Sequence, residues 1–193
     1  MLVTDDAALA SELRTLRARS LSDRPSVSAG SRVSRVPLQA QMSELTAALG
    51  IAQLARIDEI LARRKAVEAA YLDQMRSFEG IKPPYVAPDV DEVHWLLYLV
   101  HLGKRFTASA VAQVVEDLHT ECIESALYCQ PLHQQHHYTQ QGWQRGQLPL
   151  AERIADRALA LPLHGGLAPA HVSFIVKTLK DSSINVGAGA AIY

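Results

Sequence analysis

The chain has 193 residues, of which 48% are apolar and 20% charged, and its formal net charge is −1 at pH 7. These values are typical of one ordinary globular domain, or of one and a part. A chain with almost no net charge lacks the basic field that would attract nucleic acid or anionic lipid, so neither is a predicted partner. The sequence shows no apolar run of the ~20 residues that a bilayer span needs and no signal peptide, and its two cysteines do not make a disulfide framework. We therefore expect a cytoplasmic protein with no membrane segment.

The first 42 residues predict a short strand, a helix and a loop. Met1–Thr4 is the candidate strand, and apolar residues at helical spacing predict a helix over Asp6–Arg19, with Asp5 and Asp6 where an N-cap belongs. From Ser20 to Arg35, serines, a proline and a glycine interrupt any period, which predicts a loop. Six arginines occur between Arg14 and Arg35. They form either a solvated basic stretch or a contact for phosphates or an acidic partner.

A long helical block is predicted from Ser43 to about Ser77. Ser43 is a good N-cap residue, and apolar residues recur along the block at helical spacing. Gly50 costs about 1 kcal/mol relative to alanine inside a helix, so we expect a kink, a break or a close backbone approach near it.

The remaining residues predict a β-α-β-loop-α-β-α order, typical of a compact α+β unit. The predicted strands are Val93–Leu102, Cys122–Cys129 and Leu159–Leu163. One helix is capped by Thr107 or Ser109, the next begins at Pro149 and runs through Ile154 and Ala158, and the last begins at Pro169. The expected buried face of the first is Val111, Val114, Val115 and Leu118, and that of the last is Val172, Ile175, Val176 and Leu179. The tail from Ser182, rich in small residues, is expected to be loose.

Several local motifs, taken together and in order, resemble one family. They are found at Met1–Asp6, Met42–Leu54, Ile60–Tyr71, Pro131–His133 with Tyr138, Leu148–Arg153 and Leu161–His164. This pattern is similar to that of the DegT/StrS nucleotide-sugar aminotransferases, which are fold-type-I pyridoxal-phosphate (PLP) enzymes. The resemblance implies an α/β fold: the C-terminal portion of such a transferase, with the large domain truncated and an α+β small domain. It assigns residues 1–42 to the end of the large domain plus a Ser/Arg-rich loop, 43–80 to dimer-type connecting helices and 81–193 to the small domain.

The resemblance also implies a cofactor, PLP, whose Schiff-base lysine lies upstream of the matched segment in the family. None of the five lysines stands in a context typical of a Schiff-base amine, so no catalytic residue is predicted in this chain. Where the family has an asparagine that reaches the cofactor phosphate of the partner subunit, this chain has Gln39, whose amide is a candidate for the same contact. A further departure is Cys122, which replaces a family glycine at a left-handed position, at a cost on the order of 1 kcal/mol.

The densest polar cluster contains His133, His136, His137 and Tyr138. By resemblance, this loop lies at the substrate entrance, where His133 and Tyr138 would contact the nucleotide-sugar diphosphate. Two other interpretations stay open: a metal site, for which the spacing lacks a C-x-x-C and a confirmed helix, and an exposed polar loop with His133 packed against its neighbours. No metal site is predicted.

Trp143 is either a partial plug or a partner contact. Cys122 and Cys129 are expected to be core cysteines rather than nucleophiles, since no orienting group is apparent.

Three functional hypotheses follow. The first is a truncated member of the aminotransferase family, transferring an amino group from an amino acid, glutamate by resemblance, to a keto sugar nucleotide, and inactive without a lysine supplied by another chain. The second is a pseudoenzyme or interaction subunit that forms a homodimer, or a heterodimer with a full-length aminotransferase, through the 43–77 helices. The third is a fragment with no function.

Overall fold

The computed structural model describes residues 2–17, 42–76 and 78–189. They divide into two compact units, Met1–Ile57 and Asp58–Tyr193. The prediction of a loop at Ser20–Arg35, the candidate contact of Gln39 and most of the arginine-rich stretch lie outside the described residues.

The first unit contains helices α1 (Ala7–Arg17) and α2 (Glu44–Leu54). Both predicted N-caps are confirmed: the Asp6 carboxylate accepts hydrogen bonds from the backbone N–H groups of Ala8 and Leu9, and the Ser43 hydroxyl accepts one from Thr46. The strand predicted at Met1–Thr4 is wrong for its described part, because residues 2–4 are irregular and no described strand pairs with them. A strand needs a neighbour to satisfy its backbone groups.

The long block is confirmed as two helices, and the break lies elsewhere than we expected. Helix α2 continues through Gly50, beside which a Cβ would meet nothing within 4 Å, so there is neither a break nor a close approach there. The chain instead turns at Ala55 and Arg56, and α3 (Ile57–Met75) follows. Val67, Tyr71 and Met75 are the buried residues of α3, one face of the helix at i, i+4 and i+8.

Within the described residues, the second unit has one antiparallel sheet in the order β1-β2-β4-β3. Its strands are β1 (Ile81–Lys82), β2 (Tyr98–Leu102), β3 (Ala126–Leu127) and β4 (Ala158–Leu161). Every residue of β4 is buried, as expected for a strand between two neighbours. The prediction missed β1.

Three predicted boundaries are wrong. Residues 93–97 precede β2 without joining the sheet, because side chains of α3 hold them: the Trp95 indole donates to Glu68 Oε1 at 2.7 Å, and Arg64 donates to the Leu96 carbonyl at 3.2 Å. Of the strand predicted at Cys122–Cys129, only β3 forms. The helix predicted through Ala158 ends earlier, since Ala158 pairs with His101 in the sheet.

Two amphipathic helices pack on each other, α4 (Ala108–Thr120) and α7 (Pro169–Gly189). Thr107 caps α4 by accepting a hydrogen bond from Ala110 N–H, and all eight predicted face residues of the two helices are buried. They form one core with the sheet and α3. After α4, Cys122 has φ 58°, which confirms the left-handed conformation inferred from the resemblance.

The tail beyond Ser182 was expected to be loose, and this is wrong for the residues up to Gly189, which continue α7. Ser182 and Ser183 are buried, and the Ser182 hydroxyl donates to Asp117 of α4 at 2.5 Å. Small side chains let this end of the helix approach its neighbours, as Gly187 does beside Phe106.

The segment between β3 and β4 carries the remaining elements: a short 3-10 helix (Leu132–Gln134), α5 (His136–Thr139) and α6 (Pro149–Ala155). Among the described residues, no helix combines the length and apolar character needed to cross a membrane.

Candidate substrate-binding site

His133 is buried, with 6% of its surface exposed, in the segment that the sequence singled out. Its Nε2 lies 2.8 Å from Oε1 of Glu152, which is equally buried. The Nε2 atom of the imidazole therefore points to a buried partner, and this contact joins the 3-10 helix to α6.

Glu152 occupies this position because of how α6 begins. Pro149 stands at the first helical position, where its missing N–H is not needed, and Glu152 lies one residue past the usual capping-box glutamate. Its side chain turns back to accept hydrogen bonds from the N–H groups of Leu148 and Gly146. Burial raises the pKa of Glu152, but the hydrogen bonds from His133, Gly146 and Leu148 outweigh burial and hold the pKa below its ordinary value.

The turn that precedes α6 depends on two glycines. Gly142 and Gly146 have φ of 95° and 98°, a region that side chains rarely adopt. Between them, Trp143 is 42% exposed and presents its ring to His133 at an angle of 69°, with ring centroids 6.5 Å apart. Trp143 thus contacts His133 at this site. This contact does not distinguish between a partial plug and a partner contact, the two roles considered for Trp143.

Tyr138 is half-buried on α5, and its ring lies at 83° to that of His137, with centroids 5.2 Å apart. His136 and His137 are exposed and pair with Gln140 and Gln141. The four clustered residues thus separate into one buried histidine and an exposed group on α5. No three histidine, cysteine or acidic side chains of the described residues gather as metal ligands.

The expectation of core cysteines is wrong, because Cys122 and Cys129 are both exposed. The nearby His119 contacts a backbone group rather than a thiol: its Nε2 is 2.6 Å from the Ser125 carbonyl. Ser125 and Cys122 line an open cleft of about 590 Å³, together with His164, His171 and Phe174. Neither His133 nor Tyr138 lines this cleft.

The described residues do not fit a Schiff base with PLP. That role needs a lysine amine activated by burial or by a neighbouring cation. Lys65 pairs with Glu92, and Lys180 donates to the Gln74 carbonyl at 2.7 Å beside the Phe78 ring. Lys82, Lys104 and Lys177 are exposed. No step of transamination is therefore assigned to these five amines.

The architecture matches solved structures of PLP-dependent aminotransferases, a class with mixed helices and sheet. The crystal structure of DesV from S. venezuelae, in complex with a ketimine intermediate, superimposes with a TM-score of 0.76 at 27% identity, over 94% of this chain and 46% of that chain.

The chain belongs to the DegT/DnrJ/EryC1/StrS aminotransferase family, whose model matches residues 1–180. It is 31% identical to GDP-perosamine synthase from Caulobacter vibrioides over 185 residues, 94% of this chain and 47% of the relative. It is 28% identical to the spore coat polysaccharide biosynthesis protein SpsC from Bacillus subtilis over 190 residues, 94% of this chain and 48% of the relative. The chain thus spans about half the length of the curated relatives it matches. Solved structures of similar proteins include PLP-bound and PLP-dependent aminotransferases.

The sequence interpretation missed Glu152 as a residue of this site. A signal was present: Glu152 stands three positions after a helix-opening proline, where a carboxylate meets unpaired N–H groups. The sequence could not show that the same carboxylate would bond His133, 19 residues earlier.

Proposed function

We propose that this chain takes part in PLP-dependent transfer of an amino group from an amino acid, glutamate, to a keto sugar nucleotide in the cytoplasm. The observation that carries the proposal is the family match over residues 1–180. The name of GDP-perosamine synthase supports a nucleotide-linked sugar as the substrate class.

In this proposal, His133 and Tyr138 contact the nucleotide-sugar diphosphate. Tyr138 is the more exposed of the two and carries a hydroxyl that can donate to a phosphate oxygen. His133 would contact the diphosphate through the small part of its ring that is exposed. Gln39 remains proposed as an amide donor to the cofactor phosphate in a partner subunit.

The Schiff-base lysine is proposed to come from polypeptide other than these 193 residues. The placement of the five lysines supports this, because each is either exposed or held by a polar partner. When bound, PLP would supply the electron sink for the transamination. This chain would supply part of the sugar-nucleotide site.

Two measurements test the proposal. The purified chain mixed with PLP is expected to show no imine absorbance band, and a band abolished by replacing one of the five lysines with arginine would contradict the assignment. GDP- and dTDP-linked sugars are expected to shift the NMR signals of the Tyr138 region. Tyr138→Phe is expected to weaken binding, whereas Tyr85→Phe, at a tyrosine that is 81% exposed and outside this segment, leaves binding unchanged.

A second candidate function, an interaction subunit, is favoured by one observation on α2. This helix has no buried residue, and four of its large apolar side chains are 61–82% exposed: Leu45, Leu49, Ile51 and Leu54. Exposed apolar surface of this kind is typical of an interface. Co-expression with a full-length family member is expected to give a stable heterodimer that Leu49→Glu weakens. A chain that stays monomeric alone and in the mixture would contradict this candidate.

A further inference from the structure

Glu152 connects three points of the segment that the proposed function places at the substrate. Its Oε1 lies 2.8 Å from Nε2 of His133, 2.7 Å from the N–H of Gly146 and 3.3 Å from that of Leu148. Its Oε2 lies 2.9 Å from the same Gly146 N–H. One buried carboxylate therefore joins the 3-10 helix, the glycine turn and the start of α6.

These contacts determine which nitrogen of His133 carries the proton. An ionised carboxylate has no hydrogen to donate, so Nε2 of the imidazole must be the donor. In the neutral ring, Nδ1 is then left as an acceptor for a ligand hydroxyl, and it can donate to a phosphate oxygen only in a ring that carries its second proton. Without Glu152, His133 would be free to adopt the other tautomer or to rotate.

The same carboxylate holds the turn that carries Trp143. Gly146 donates its N–H to both Glu152 oxygens while its backbone is in a conformation that glycine adopts readily and other residues rarely do, so the bonds help to define this turn. Trp143 forms a T-shaped ring pair with the imidazole that Glu152 orients. Glu152 thus fixes both the His133 ring and the turn that carries Trp143.

We propose that Glu152 is a positioning residue of the sugar-nucleotide site: it sets the tautomer and orientation of His133 and fixes the turn that presents Trp143. The substrate role of the segment rests on the proposed function, whereas the orientation of His133 and Trp143 by Glu152 does not. Glu152 itself, covered by the residues it binds, acts through them.

The first test is spectroscopic and needs no activity. In ¹⁵N NMR spectra of the wild-type chain, the His133 imidazole is expected as the Nε2–H tautomer. Glu152→Met removes the acceptor at similar side-chain length and is expected to change the tautomer signature, whereas Glu116→Met, at an exposed position on α4, leaves it intact. An unchanged His133 signature in E152M would overturn the proposal.

The second test follows the turn by fluorescence. The chain has two tryptophans, so Trp95→Phe leaves Trp143 as the reporter. In this background, E152M, which leaves the N–H groups of Gly146 and Leu148 without their acceptor, is expected to shift Trp143 emission to the red as the turn opens to water, while circular dichroism retains the helical signal. If E152M fails to fold, two variants of His133 replace it. His133→Gln keeps a donor for Glu152 and is expected to retain the wild-type emission, whereas His133→Leu shifts it, and equal emission from these two would overturn the proposal.

Binding of GDP- and dTDP-linked sugars separates this inference from the proposed function. E152M is expected to raise the Kd about tenfold, the order expected when one hydrogen bond to the ligand is lost because the residue that makes it is misplaced. A wild-type chain that binds neither sugar nucleotide contradicts the proposed function alone. Unchanged Kd in E152M, with binding intact in the wild type, overturns the positioning role.

Discussion

The helical core and the segment from Pro131 to Leu148 are held by different forces. In the core, α4 and α7 bury apolar faces against each other and against the sheet. In the segment, Leu132, Leu148 and Trp143 are 42–65% exposed, and a buried His133–Glu152 pair supplies the order. Apolar contacts tolerate small shifts, whereas a bonded carboxylate requires particular atoms at particular distances. Compared with the helical core, the segment proposed to bind the substrate therefore depends more on hydrogen-bond geometry and less on buried apolar side chains.

The largest expected effect comes from the core. Leu118→Ala removes a side chain with no exposed surface and is expected to lower the free energy of unfolding by about 2–5 kcal/mol, measured by urea denaturation. Leu132→Ala in the segment, at a leucine that is 65% exposed, is expected to change it by less than about 0.5 kcal/mol. Similar losses in the two variants would remove the contrast between core and segment.

The next effect sharpens the account of the glycine turn. Gly146→Ala and Gly142→Ala both place a Cβ in open space at a positive φ, so each is expected to cost about 1–2 kcal/mol through backbone strain. Of these two glycines, Gly142 donates its N–H to the Thr139 carbonyl, and Gly146 donates its N–H to Glu152. Gly146→Ala is therefore expected to cost more in thermal unfolding and to change Trp143 emission. Equal costs and equal emission would show that the Glu152 contact does not hold the turn.

A smaller gain is expected at the end of α4, on the core side of the comparison. Cys122→Gly relieves the left-handed strain at φ 58° and is expected to raise the free energy of unfolding by about 1 kcal/mol. Cys122→Ala keeps a Cβ and is expected to give no gain. A gain in both variants would assign the effect to the thiol rather than to the backbone.

The smallest effect concerns pH, since Glu152 is one of 20 acidic residues. Its pKa is lower in the folded protein than its ordinary value of 4.5, so its contribution to stability is present above that value and is lost as the pH falls through the folded-state pKa. The free energy of unfolding of E152Q is expected to fall less steeply than that of the wild type between about pH 5 and pH 3. Parallel curves would contradict the charged pairing, and Glu116→Gln, without these bonds, is expected to follow the wild type.

The accuracy of the sequence predictions follows the same division. The faces of α4 and α7 were predicted residue by residue, because the burial of Val111 or Val176 depends on a local helical period. The ends of elements were predicted less well. The predicted strand that begins at Val93 was too long, because the α3 side chains that hold Trp95 and Leu96 lie about 30 residues away in the chain. Ser182 was expected to be loose because its partner, Asp117 of α4, is likewise distant in the chain. At the candidate site, the sequence indicated His133 and Tyr138 and left open that His133 packs against its neighbours, but it did not predict Glu152 as the partner.

By itself, the sequence determined the family, the N-caps and the apolar faces of the helices, since these depend on residue types at short spacing. It also located the P-L-H and L-P-L-A-E-R motifs without relating one to the other. Only the tertiary structure decided that His133 and Glu152 share a hydrogen bond, that Trp143 forms a T-shaped ring pair with the histidine and that Lys65 and Lys180 have polar partners. The physical reason is range: helix period and capping act over four residues, whereas a carboxylate finds its partners only after the chain has folded.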